Sequence, residues 1–443
     1  MKGASAQPTS CSASVPTQRR GVRFAACGSG AVAFTHWARL VIVALVAVVS
    51  LVWSRDAHAY AWMIQKGFAE CGSCHVDPSG GELLTHMGRV QSETTMSTYW
   101  HEGEPRVSDQ AKLAFFADEP DMLRLGGSFR YMGIYTMHPP EAVAAAEEAG
   151  DPLDPLNHFP MQADVYGALD LGKVQVAASF GVGRVAENSQ HFRAAQVTSA
   201  DTAGDLALIS RWHWLGIELS DDMLMRVGRM NLPFGIRTSE HVLYASEATR
   251  TDRESDQQHG VSFAQSIGPW RYELMFSLGN FQVAPDDYRE RGYSGTFEYL
   301  VDQDLALGMS SSILTSGRSI VTGSQERTIR HGHGVTARWV PFHPTTLLVE
   351  ADVIKRTGST LGYTGFVTAD VEAFQGLHLA ATAEWVSVGK PEGGVAAKGA
   401  GQPRLGYWLT AHWLLYTHLD LRADLRIQDD ANTAILGQLH LYL

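Results

Sequence analysis

The 443 residues leave room for one large domain or two to three ordinary ones. Carboxylates outnumber bases, 47 Asp+Glu against 35 Lys+Arg, giving a net charge of −12; so acidic a chain offers no basic face to nucleic acid. Of four cysteines, Cys11 and Cys27 lie in the N-terminal segment, so the remainder of the chain can build neither a disulfide framework nor a four-thiolate zinc site.

The first 59 residues read as a secretory signal. Arg19, Arg20, Arg23 and Arg39 precede an apolar run from Leu40 to Val52, and "AHA" ends at Ala59 as a small-x-small cleavage site. The apolar run is short for a membrane span. This segment holds six of the bases and one of the acids, so the rest of the chain carries a net charge near −17.

Residues 60–118 form a separate stretch, and "ECGSCHVDPSGG" at 70–81 is its most specific feature. Cys71, Cys74 and His75 spell Cys-x-x-Cys-His, the attachment motif of a c-type haem. Two thiols bond the haem vinyl groups, and the adjacent histidine ligates iron from one side. Zinc would need two further ligands brought in by chance, and a thioredoxin-like pair would need a βαβ context that is absent. The sequence therefore predicts one covalent haem c held by Cys71 and Cys74, with His75 as proximal iron ligand. Met87 is the favoured distal ligand; His86, Met63, Met96 and His101 are the other candidates.

From 119 onward apolar residues alternate with period two. In "HLDLRADLRIQ", Leu419, Leu421, Ala423, Leu425 and Ile427 oppose Asp420, Arg422, Asp424 and Arg426. Sixteen strands are predicted, near 122–136, 161–171, 174–184, 207–219, 223–230, 259–266, 270–279, 293–300, 305–315, 331–340, 345–356, 363–373, 376–387, 405–414, 418–428 and 433–443. Short links such as "GK", "SDD" and "PFHP" alternate with long ones, with "DDANT" as the exception. An even count of antiparallel strands with alternating short and long connections predicts an all-β, sixteen-stranded antiparallel outer-membrane β-barrel. Only a closed barrel crosses lipid with every backbone group of its strands paired. Lumen-parity arginines, among them Arg124, Arg130, Arg226, Arg422 and Arg426, are expected to pair with carboxylates rather than to line an anion path. Acidic residues of the first long loop (Glu141, Glu147, Glu148, Asp151, Asp154) and the third (Asp252, Glu254, Asp256) are expected to be solvated.

"VGRMNLPFGIR" at 227–237 resembles the Gly-x-x-x-x-Pro-Phe-Gly stretch of phosphate-selective and related porins, through Gly228, Pro233, Phe234 and Gly235. A monohaem segment joined directly to a sixteen-strand barrel resembles the fused outer-membrane cytochrome–porins, such as the iron-oxidation cytochromes of iron-oxidising bacteria. The chain carries "WMIQKGFAE" where the iron-oxidiser pattern has an Ala-Arg-Gln-Thr-Gly-like stretch. The resemblance implies a small, mostly helical or irregular haem segment plugging the lumen. It implies electron transfer across a Gram-negative-type outer membrane between an extracellular redox partner, with Fe²⁺ as one donor, and a periplasmic electron-carrier cytochrome. The alternative is a solute or anion porin with a haem-bearing plug. The expected surroundings are outer-membrane lipid.

Overall fold

The computed structural model describes residues 60–99, 122–150, 152–184, 195–197, 206–240, 242–252, 256–280, 289–318, 326–392, 401–429 and 433–443. The predicted signal segment, His101, Glu254 and Asp151 lie outside them. Seventeen strand segments follow one another: β1 (Leu123–Met137), β2 (Leu156–Asp170), β3 (Val174–Arg184), β4 (Leu206–Ile209), β5 (His213–Ser220), β6 (Met223–Met230), β7 (Gln258–Ile267), β8 (Trp270–Gly279) and β9 (Arg291–Leu300). They continue with β10 (Leu305–Ser316), β11 (Thr328–Phe342), β12 (Thr345–Arg356), β13 (Gly362–Phe374), β14 (Leu377–Ser387), β15 (Arg404–Tyr416), β16 (Leu419–Gln428) and β17 (Thr433–Tyr442). Apart from β4 and β5, which both pair with β3, each pairs antiparallel with its neighbours, and β17 pairs back onto β1 from Ser128↔Tyr442 to Met137↔Thr433, so the sheet closes.

The closed wall has sixteen staves, because β4 and β5 are halves of one. Both pair with β3. Between them Ser210–Trp212 leave the ladder, and Ser179 clamps the gap: its backbone N–H donates to the Trp212 carbonyl at 2.8 Å, and its hydroxyl accepts from the Trp212 N–H at 3.0 Å. The predicted strand at 207–219 is thus one stave with a break. The predicted strand at 161–171 begins earlier, at Leu156, because Pro160 sits where the β1–β2 register shifts, beside Arg130/Tyr131. A bulge tolerates a residue that has no N–H to give the ladder.

Alternation sets the two faces. Val165, Phe180, Leu278, Leu307, Val335 and Val353 are exposed on the outside, as a lipid-facing surface requires. Aromatic residues gather near the short-turn end, where Trp270 packs on Tyr299 with ring centroids 4.3 Å apart, the place of an interfacial girdle. No helix among the described residues is long and apolar enough to cross a membrane; the strands do so. The inner face is polar, and several of its charges pair, while Arg229 donates to the Arg211 and Asn280 carbonyls instead. Arg226 meets Glu273, Arg330 meets Glu290 at 2.9 Å, and Arg422 meets Asp424 at 2.8 Å.

Two segments fill the lumen. Residues 60–99 contact the short-turn half of the strands. Residues 231–252, from the long β6–β7 connection, fold inward across the long-loop half. In this segment Leu232, Phe234, Leu243, Tyr244, Ala245 and Ala248 are buried. The sequence expects Asp252 and Asp256 to be solvated; the structure corrects this, with Asp252 half-buried and Asp256 buried against Arg250 at 3.1 Å. The segment's apolar side chains pack against β12–β15 through Leu348, Ile354, Phe366, Val386 and Trp408. The acidic first loop is exposed as expected, with Glu141, Glu147 and Glu148 on helix α2 (Pro140–Ala149), none of whose residues is buried.

Candidate functional site

Local geometry gathers the Cys-x-x-Cys-His residues. Cys71–Ser73 form a single 3₁₀ turn, in which the Cys74 N–H donates to the Cys71 carbonyl at 3.1 Å and the His75 N–H to the same carbonyl at 2.9 Å. Side chains three apart eclipse in this geometry, so Cys71 and Cys74 emerge on one side. The chain then doubles back. His75 bridges Leu84, Val76 N–H donates to the Leu83 carbonyl at 3.0 Å, and Thr85 N–H donates to the Cys74 carbonyl at 2.9 Å. Thr85 also caps helix α1 (His86–Gln91), accepting from Gly88 N–H at 3.1 Å. A Cβ on Gly88 would collide with the Cys74 carbonyl, so only glycine lets α1 lie this close to the motif.

The histidine ring is fixed by its own loop. His75 Nδ1 lies 2.6 Å from the Gly81 carbonyl oxygen. A carbonyl can only accept, so Nδ1 carries the proton and the imine lone pair is on Nε2. That tautomer, held by a backbone carbonyl, is the arrangement of a histidine set to ligate metal through Nε2. Gly80, at φ 79°, makes the turn possible, and its missing side chain leaves room for the Cys71 sulfur.

The wall holds this loop through buried polar contacts. Arg226, wholly buried on β6, reaches Asp77 at 2.6 Å with one nitrogen and Glu273 with the other. Lys66 meets Glu372 at 3.0 Å, Glu70 meets Arg271 at 3.2 Å, and Trp212 Nε1 donates to Glu82 at 2.7 Å. Arg338 donates to the Ala69 carbonyl at 2.9 Å. Trp62 stacks on His378 with centroids 3.8 Å apart. Burial opposes ionisation of Asp77, but Arg226, then Ser79 and Arg237, outweigh it and hold the carboxyl below the usual range. Burial pushes the Cys74 thiol up to about 11, with Cys71 adding to the shift; a zinc site would want the thiolate. Glu93, buried with one oxygen lacking a hydrogen bond, is pushed up to about 7 by burial.

Beside the motif loop lies a cavity of about 730 Å³. Cys71, Cys74 and His75 line it, with Met63 and Met96. It reaches the short-turn end at Asp221, Asp222 and Gly268, and is bounded toward the other end by Gly235–Ser239 of the inward loop. Gly235, at φ 62°, is the last glycine of the Pro-Phe-Gly stretch. Its N–H donates to Ser310 at 2.8 Å, and it lies where a side chain would strike Glu350. Met87 and His86 are not on the cavity lining. On α1, Gly88 and Arg89 take the buried face and leave both residues exposed; the Met87 sulfur lies 3.5 Å from Gln91 Nε2. Asp77, Glu82 and Lys66 were not anticipated. Their only signal was a cluster of charges in a segment whose partners lie 130–306 residues away.

No family model matches this chain, and none of the curated proteins does. Solved structures do. OmpT of Vibrio cholerae with loop L8 deleted covers 72% of this chain and 99% of its own, at 11% identity and a TM-score of 0.52. Outer-membrane-expressed OmpT of the same organism covers 73% and 99%, at 10% identity and 0.51. Salmonella typhi OmpF, in a complex with daunomycin, covers 72% and 97%, at 11% identity and 0.50. The fold is that of an outer-membrane porin barrel. With its apolar outer face, the barrel sits in the lipid of a Gram-negative-type outer membrane. More than a quarter of the chain lies outside the likeness.

Proposed function

We propose that this porin-type barrel carries a covalent haem c inside its lumen and passes electrons across the outer membrane. One observation carries the reading. The Gly81 carbonyl fixes His75 with its lone pair on Nε2, and both cysteines and His75 line a single cavity of about 730 Å³, a size typical of cofactor sites. The residues fit the group. Cys71 and Cys74 would supply the thioethers and His75 Nε2 the proximal ligand. Met63 and Met96, rather than Met87, stand where a second axial ligand could come from the lining. Bound there, the haem would supply one-electron redox chemistry at a potential set by its axial ligands and burial. The rest is done by the chain itself. Arg226 and Asp77 hold the motif loop against the wall, the inward loop excludes extracellular solutes from the cavity, and the opening at the short-turn end admits a periplasmic electron-carrier cytochrome. The outer partner, for which Fe²⁺ is one donor, would meet the long-loop end.

A second reading is a solute or anion porin whose haem-bearing plug gates the path. The wall's likeness to OmpT and OmpF favours it more directly than it favours electron transfer, since that likeness reaches the barrel alone. Planar-bilayer conductance and proteoliposome electron transfer separate the two. On the first reading the intact protein conducts ions poorly, removal of 60–118 raises the conductance up to the limit set by the inward loop, and an enclosed acceptor is reduced from outside only with His75 present. Free ion passage by the intact protein, with His75→Ala moving electrons at an unchanged rate, would replace the first reading by the second.

A further inference from the structure

The outer wall is not uniform. Over β15–β17 and β1, outward positions near the long-loop end are Leu405, Ile427, Ile435, Tyr135 and Met137, all exposed and apolar or aromatic. Over β9–β12 the corresponding positions include Arg291, Tyr293, Ser311, His331, His333 and Lys355, set among the apolar Ile313, Ile329 and Val353. Register places them side by side: Tyr293 opposite Ile313, Ile313 opposite His331, His331 opposite Lys355, and Ser311 opposite His333. Their polar ends are joined. Ser311 Oγ lies 3.0 Å from His333 Nδ1 and 3.1 Å from the Tyr293 hydroxyl, and the two histidine rings are 6.2 Å apart. Lys355 reaches Glu392 at 3.4 Å, with both side chains about half exposed.

From this patch we infer a binding site for the phosphorylated headgroup of an outer-leaflet glycolipid of the lipid A type. The face is turned to lipid, not to water, so the polar capacity that the Ser311–His333–Tyr293 and Lys355–Glu392 contacts leave over is met there by a lipid headgroup. It lies at the long-loop end, which is the outer leaflet's level in a barrel of this plan. It carries Arg291 and Lys355 as cations, and guanidinium and ammonium groups bind phosphate oxygens by charge-assisted hydrogen bonds. Four neighbouring strands span about 15 Å, the breadth of a disaccharide headgroup with a phosphate at each end. The inner leaflet has no such lipid, and the matching short-turn positions on β8 and β9 hold Trp270, Phe297 and Tyr299 instead.

Delipidated full-length protein in detergent, titrated with diphosphoryl lipid A under native mass spectrometry, tests the site. One lipid should be retained, and the combined variant R291Q/H331Q/H333Q/K355Q should bind it at least tenfold more weakly. Heat-dependent gel mobility reports whether the variant is folded. If it is not, H331Q/H333Q and K355Q made separately should each weaken binding about threefold. Y135L/Y407L, on the other wall, should change nothing. Unchanged binding by the folded basic-patch variants overturns the site. So does equal binding of dephosphorylated lipid A, an equal loss in Y135L/Y407L, or inorganic phosphate alone binding as tightly as the lipid.

Discussion

At the short-turn end of the lumen the strands meet residues 60–99; at the long-loop end they meet residues 231–252. Both fillings are buried and both are tied down by ions and backbone donors. Arg226, Arg271, Arg338 and Glu372 of the wall reach the first. Glu384, Ser294, Arg422 and Ser310 reach the second. They differ in origin and in content. The inward loop grows out of two wall strands and brings apolar side chains and a Pro-Phe-Gly turn. The N-terminal segment belongs to no strand and brings the two thiols and the oriented histidine. A barrel can close its own mouth with its own loop. It needs a separate segment to hold chemistry inside, which is why the cavity lies where the two fillings meet.

The sharpest way to break this contrast is to remove the chemistry alone. Cys71→Ala with Cys74→Ala should abolish covalent haem completely, since 60–443 has no other cysteine, while the wall still folds and shows its heat-dependent mobility. Haem staining that survives a denaturing gel in the double variant would sink the attachment. Next comes access. An epitope placed in α2 should be labelled on intact cells, whereas one placed at 242–248 should stay dark until the protein is denatured. Surface labelling at 242–248 would return the inward loop to solvent.

Smaller effects sharpen the comparison. Arg226→Met strands Asp77 and Glu273 in the lumen, and breaking a buried pair costs about 3–5 kcal/mol. Native-state proteolysis should then cut within 60–99 faster by a large factor, while cleavage near 231–252 stays as it was. A uniform rise at both sites would mean that Arg226 supports the wall rather than the plug. The smallest expected effect is on pH. Glu93 is raised to about 7 from an unfolded value near 4.5, so above pH 4.5 the unfolded segment loses this proton first. Its burial therefore weighs against the docked plug increasingly from pH 4.5 to 7. Protection of 60–99 should rise as pH falls across that window, by up to about 3 kcal/mol, and Glu93→Gln should flatten the trend. An identical pH profile in the variant would assign the trend to another group.

The wall was legible because a half-buried strand writes its two faces into every second residue. Leu419 to Ile427 against Asp420 to Arg426 could hardly be read otherwise. Pro160 hid the start of β2, since a bulge that excuses a proline leaves no mark of its own. The motif residues were legible because the spacing of Cys71, Cys74 and His75 is local chemistry. What held them was not: Asp77 finds Arg226 149 residues on, and no period announces such a pair. Met87 was the favoured distal ligand, yet α1 turns its glycine and arginine inward and Met87 out. The β6–β7 loop did show apolar residues at 232, 234, 243 and 244, but which lumen groups would receive them could not be read from the loop itself.

Closure of β1 on β17 also fixes an order of events. The ring cannot be sealed until the last ten residues of the chain have arrived, and Leu443 N–H then donates to the Gly127 carbonyl at 2.9 Å. Residues 60–99 are made before any strand and are enclosed only when the final one docks. Cys74, 1% exposed among Trp62, Met63 and Phe68 of its own segment, then sits inside the closed ring. On the proposed function, the haem would have to be attached in the periplasm, before the container exists.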